Sequence, residues 1–250
     1  MAIKKLKTKH KYKTFSIETL GDYVELVDRC FSNDPVLFRG QREDKPLLPR
    51  IARVKPRTSI LYDEKAMLDA LARESVGLIG HNPETEWDWL ALAQHHGMAT
   101  RLLDWTTNPL AGLWFAVEKP AEAPTDSGVV WVFDPKDEDL VNDPKSQSPF
   151  SGQFTKVFIP RHVTARIRAQ SGAFTVHKYI KTKKTFIPFD NNPRYQGRLV
   201  KICVPGGCFS NLRWDLDRYG VNSFSLFPDI DGLCRHQTWR NSLSIDELPD

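Results

Sequence analysis

Gln94-His95-His96-Gly97-Met98-Ala99-Thr100-Arg101-Leu102-Leu103-Asp104-Trp105-Thr106-Thr107-Asn108-Pro109-Leu110 is the stretch on which the fold turns. Two histidines, an arginine, an aspartate and several hydroxyls crowd into it, and such groups are costly to bury unpaired. Apolar residues at helical spacing flank it: Trp87, Leu90 and Ala91 before, Leu110, Leu113, Trp114 and Val117 after. Leu102, Leu103 and Trp105 interleave with the polar groups, so a short buried strand lining a cleft is expected rather than a solvated linker. The competing reading is a purely structural polar network.

Outward from this stretch, Asn108-Pro109 is a cap followed by proline at the first helical position, which predicts a helix to about Glu118. On the other side, Asn82-Pro83 carries the same signature for a helix closed by Gly97 in a left-handed conformation. His95 and His96 then fall in its last turn. Neighbouring helical side chains point about 100° apart, a poor chelate, and no metal site is expected. Thr19 to Phe31 and Ser59 to Ile79 read as amphipathic helices, with Glu64 and Glu74 on a solvated face of the second. Strands are expected at Val36–Gln41, Val129–Phe133, Phe154–Ile159, Phe174–Val176 and Leu199–Val204, and a strand or turn at Phe224–Phe227. A late helix is expected over Leu212–Arg218, with a capped final helix beginning near Asp229. Early helices followed by a run of strands predict one α+β domain with a mixed or antiparallel central sheet.

Arg39 ends the apolar run Val36-Leu37-Phe38. Its planar fork suits a carboxylate or phosphate, and an internal pair with Asp104 serves the same need. Gln170 sits in a second polar–apolar mixture, where Gly172 lets the backbone approach a ligand. Arg39, Asp104 and Gln170 are therefore expected to converge on one cleft, since each polar group in an apolar segment demands a partner.

The net charge of +4 is uneven. Residues 1–13 hold Lys4, Lys5, Lys7, Lys9, Lys11 and Lys13 and no acid, so the remainder carries +4 minus +6, or −2. That predicts a basic, disordered tail, either a nucleic-acid contact or a solubilising extension. No apolar run approaches the ~20 residues that cross a bilayer, and no secretory h-region is present, so a cytoplasmic protein with no membrane partner is expected. The four cysteines lack disulfide or metal spacing.

Phe38-Arg39-Gly40-Gln41, the Gln94–Thr106 block, Gln170-Ser171-Gly172-Ala173-Phe174 and Phe227-Pro228-Asp229-Ile230-Asp231-Gly232-Leu233 together resemble the FRG domain, named for its Phe-Arg-Gly triplet. The resemblance implies a domain over residues 15–240, between tails 1–14 and 241–250, in a family found mainly in bacteria and phages. In order, the blocks also look, more distantly, like the ADP-ribosyltransferase superfamily. That resemblance implies NAD as substrate, no metal, and a toxin or phage-defence setting. It assigns Arg39 to the dinucleotide phosphates, Thr106 and Thr107 to the ribose, and Gln170 to the position of a catalytic glutamate. A neutral amide supplies no negative charge there, so catalysis is slow, borrows Asp104, or is lost with nucleotide binding kept. On this reading Asp104, Thr106 and Gln170 are the catalytic candidates. Arg39, Gly40, Gln94, His95, Arg101, Trp105 and Phe174 are the nucleotide-binding ones. A non-catalytic nucleotide- or nucleic-acid-binding module is the alternative.

Overall fold

The computed structural model describes residues 3–6, 12–31, 35–80, 83–123, 125–160 and 165–248. Its strands are β1 (Lys4–Leu6), β2 (Lys13–Ser16), β3 (Leu37–Gln41), β4 (Leu102–Thr106), β5 (Ser127–Phe133), β6 (Lys156–Phe158), β7 (Gly172–Val176), β8 (Tyr179–Ile180), β9 (Thr185–Phe186) and β10 (Leu199–Pro205). Its helices are α1 (Leu20–Cys30), α2 (Ile60–Glu74), α3 (Glu86–His95), α4 (Pro109–Val117), α5 (Ala165–Ala169), α6 (Phe209–Arg218), α7 (Ser223–Leu226) and α8 (Ile230–Arg240).

Eight strands form one sheet in the order β1-β2-β10-β5-β3-β4-β7-β6, and β8 and β9 form a separate hairpin. Every pairing in the large sheet is antiparallel except β10 with β2. The expected α+β class with a mixed sheet is what the chain adopts. Alternation along β5 explains its central place. Val130 and Val132 enter one core with α1, α4 and α6, while Val129, Trp131 and Phe133 enter another with Leu103 and Trp105. A third cluster, around Trp87, Leu90, Leu102 and Phe174, fixes α3 on the β4 side.

Local chemistry sets the helix starts. Thr19 and Thr85 each form a reciprocal capping box with the aspartate three residues on, Asp22 and Asp88. Thr85, three residues past the expected Asn82, is the cap of α3; Asn82 lies outside the described residues. Asn108 caps α4 with Pro109 at its first position, and Gly97 follows α3 at φ +84°. Asp229 caps α8, as the sequence implied. Phe224–Phe227 is not a strand: Asn222 accepts from the Phe224 and Ser225 N–H groups and starts α7 instead.

Both tails also depart from expectation. Lys4–Leu6, inside the segment read as a disordered tail, and Lys13–Ser16, which overlaps its end at Lys13 and Thr14, are strands, because β10 offers β2 a parallel edge and β2 offers β1 an antiparallel one. Lys7, Lys9 and Lys11 lie outside the described residues. At the other end, a 3-10 turn at Ile245–Glu247 docks on α6: Arg213 Nη2 donates to Asp246 at 2.6 Å and Trp214 Nε1 to Glu247 at 2.7 Å.

One joint in the sheet is thin. β3 runs along β5 through Leu37 to Gln41, and β4 runs along β7 over its full length. Between β3 and β4 the register holds a single pair, Phe38 with Thr106. The two halves of the sheet part beyond it. Behind the joint, α4 crosses β3 at backbone contact, with Gly40 and Gly112 at the crossing. The glycine of the Phe-Arg-Gly triplet is thus explained by packing against a helix.

Candidate functional site

A cleft of about 400 Å³ opens where β3 and β4 part, within the ~300–1,000 Å³ usual for small-molecule sites. It collects residues from β3, the last turn of α3, β4, α4, α5 and β7. Arg39, Asp104 and Gln170 all line it, although more than sixty residues separate each from the next.

Arg39 Nη1 donates to the main-chain oxygen of Asp104 at 2.7 Å and lies 3.7 Å from its Oδ2. The arginine side chain is 19% exposed and the aspartate 55%. The shorter bond therefore goes to the backbone, and the carboxylate stays largely open to solvent. Among the described residues, neither Arg39 Nε, which is buried, nor Nη2 has a partner. Burial lowers the Arg39 pKa from the usual arginine value; Asp104 opposes this and Arg53 adds to it.

Gln94 aims the carboxylate. Its Nε2 donates to Asp104 Oδ1 at 3.2 Å and Oδ2 at 3.0 Å. The buried Thr100 hydroxyl donates to Gln94 Oε1 at 2.7 Å, which fixes which end of the amide faces Asp104. Thr106 is held just as firmly. Its hydroxyl donates to the Gln170 main-chain oxygen at 2.6 Å and accepts from the Asn108 N–H at 2.9 Å, tying β4 to the segment before β7 and to the start of α4. Gln170 Nε2 donates to the Leu226 oxygen at 3.1 Å. His95 and Phe174 also border the cleft.

Three expected ligand residues have other work. Arg101 is outside the cleft and only 2% exposed, paired with Glu64, itself 1% exposed. Its Nη2 reaches Glu64 Oε2 at 2.6 Å, its Nε reaches both carboxylate oxygens, and Nη1 donates to the Pro149 oxygen. Glu64 is thus a buried partner, not part of a solvated face; Glu74, read the same way, is exposed. Trp105 borders the cleft, but its ring belongs to the second core and its Nε1 donates to Thr175 Oγ1 at 2.9 Å. Gly40 contributes backbone only, since α4 occupies the space a side chain would take.

The sequence reading missed Gln41, Arg42, Ile167 and Glu118, all of which line the cleft. Gln41 Oε1 is buried with no partner among the described residues, and Arg42 is held by Glu122 at 2.6 Å. Glu118 had a signal. It lies three residues beyond Phe115, so both fall on one side of α4, away from the Leu110–Leu113–Val117 stripe.

Behind β4, Thr175 Oγ1 lies 3.0 Å from His177 Nε2. Burial, with Arg39 and Arg101 nearby, pushes the His177 pKa from 6.5 down to about 3. A depressed histidine contributes stability above its unfolded pKa, and that stability is lost as pH falls from 6.5 towards 3. Between pH 7 and pH 5, at about 1.4 kcal/mol per unit, the group removes about 2 kcal/mol. Urea unfolding at the two pH values should show this difference in the parent and not in His177→Gln; equal slopes in both proteins would exclude it.

Together these features define an α+β protein whose sheet opens into an arginine- and carboxylate-lined cleft. Residues 34–124 match the family model of the FRG domain, so the chain carries an FRG domain over that segment. The match includes the Phe38–Gly40 triplet and the Gln94–Trp105 block, and ends before Gln170. No curated protein and no solved structure matches the chain. Among the described residues, no helix is long and apolar enough to cross a membrane, and no group of three or more His, Cys, Asp or Glu is placed to hold a metal ion.

Proposed function

We propose that the cleft binds NAD and cleaves its nicotinamide–ribose bond, passing ADP-ribose to water or to an acceptor. The observation that carries this reading is the meeting of Arg39 and Asp104 in one cleft. Arg39 Nη2, which has no partner among the described residues, offers an edge for a phosphate, while Nη1 is pinned to the backbone, so little freedom remains to be lost on binding. Asp104 presents a carboxylate held by Gln94 and still open to solvent. As the C1′–N bond breaks, its electron pair leaves with the nicotinamide nitrogen and positive charge grows on the ribose. A fixed carboxylate beside that carbon stabilises the charge. The incoming hydroxyl or amine adds at C1′ and releases its proton. Gln170 supplies no charge, but its Oε1 can accept from a ribose hydroxyl while Nε2 stays on Leu226.

Calorimetric NAD binding and nicotinamide release test this reading together. Arg39→Lys keeps the charge and loses the fork, and should weaken NAD by about 1–3 kcal/mol, or roughly 5- to 150-fold, with the melting temperature unchanged. Asp104→Asn should bind NAD within a few-fold of the parent and release nicotinamide about 10²–10³-fold more slowly. A parent that binds no NAD refutes the proposal. Binding without release supports the non-catalytic module instead, the reading favoured by an amide at Gln170.

A further inference from the structure

A second cavity, of about 430 Å³, lies beside the cleft and shares Glu118 with it. Its walls come from the end of α4, from α6, and from α7 and α8 with the Phe227–Asp229 turn between them. That turn belongs to the fourth block of the sequence, for which the cleft has no use. Consecutive residues of α4 divide the two spaces: Phe115 borders the cleft and Trp114 the cavity. Phe227 packs against both, at 6.3 and 6.0 Å between ring centroids.

The chemistry of the cavity is specific. Trp114, Phe227 and Trp239 supply aromatic surface. Arg213 Nε and Trp239 Nε1 are buried donors in its wall with no partner among the described residues, a cost that an acceptor-bearing ligand offsets. Arg235 is exposed and lies over the Phe227 ring at 5.0 Å, with no carboxylate within salt-bridge distance among the described residues. Asp231, also exposed, accepts no hydrogen bond from the described residues. Aromatic faces stack bases, a guanidinium held by a ring binds phosphate, and a free carboxylate accepts from ribose hydroxyls.

We propose that this cavity receives the purine-nucleotide half of a dinucleotide whose other half occupies the cleft, an inference that rests on the NAD reading above. The Phe227–Asp229 turn and the start of α8 are then a binding element, and Glu118 marks the point where the ligand passes from one space to the other.

Three ligands separate the possibilities in calorimetry on the full chain: NAD, adenosine monophosphate and nicotinamide mononucleotide. Adenosine monophosphate should bind and compete with NAD. Arg235→Ala should weaken both by tenfold or more and leave nicotinamide mononucleotide unchanged, with Arg235→Lys recovering part of the loss. Arg39→Lys should give the converse pattern, weakening nicotinamide mononucleotide and sparing adenosine monophosphate. Both arginines are tested alongside Asp231→Ala, an exposed position where loss of fold is not at issue. NAD binding that is unchanged in Arg235→Ala and Asp231→Ala overturns the half-site and leaves the cleft reading standing. No NAD binding in the parent overturns both.

Discussion

Glu64→Gln is expected to lower the stability of this protein by about 3–5 kcal/mol, the cost of removing one partner from a buried ion pair. The carboxylate takes Arg101 Nε, Nη2 and the Arg101 main-chain N–H, the last at 2.9 Å. It thereby joins α2 to the start of β4, beside Thr100 and the residues that hold Asp104. An amide in its place is neutral, has one acceptor oxygen for three donors, and leaves the guanidinium charge uncompensated. Phe150, with the guanidinium 4.5 Å above its ring, cannot replace a carboxylate. Urea unfolding measures the loss. Arg101→Met should be comparably destabilising. The Glu64→Leu, Arg101→Met double variant should recover much of the deficit, because apolar residues in place of a buried pair are often tolerated. Recovery stops short of the parent, since the Arg101 N–H then lacks its acceptor. A loss below about 1 kcal/mol in Glu64→Gln, the range of exposed pairs, would falsify the buried-pair account.

Gly40→Ala is expected to cost about 3 kcal/mol, near the upper end for inserting one carbon into a packed interior. The added Cβ would meet the Gly112 carbonyl oxygen, lie 2.6 Å from the Ala116 nitrogen and 2.7 Å from Phe115 Cβ. Two of these are helix backbone, so relief requires moving α4 off β3. Gly197→Ala is the control: nothing lies within 4 Å of a Cβ there, and stability should stay within about 0.5 kcal/mol of the parent. Thermal melts and urea midpoints on the two variants decide the matter. If Gly40 served only a ligand, Gly40→Ala would melt with the parent and lose only nucleotide affinity, and the packing account would fail.

The sequence by itself determined the central strands, most of the long helices and the existence of a polar cleft. Asn108-Pro109, Gly97 and Asp229 act through bonds to their own neighbours in the chain, so their effects are written within a few residues. Arg39, Asp104 and Gln170 each stand in an apolar segment, and the cost of burying them unpaired is enough to predict their meeting. The tertiary structure decided which polar groups belong to that cleft. Arg39 and Arg101 look alike in sequence, each beside an apolar run; what separates them is Glu64, which reaches Arg101 from thirty-seven residues away. Glu64 in turn reads as solvated until Arg101 closes on it. Gln94 reads as a ligand contact until Thr100 fixes its amide on Asp104. The lysine-rich N-terminus reads as a free tail because the edge that orders β2 belongs to β10, nearly two hundred residues on. Periodicity and capping act over a turn or two of chain, whereas an ion pair or a strand register depends on distances that exist only after the chain has closed on itself.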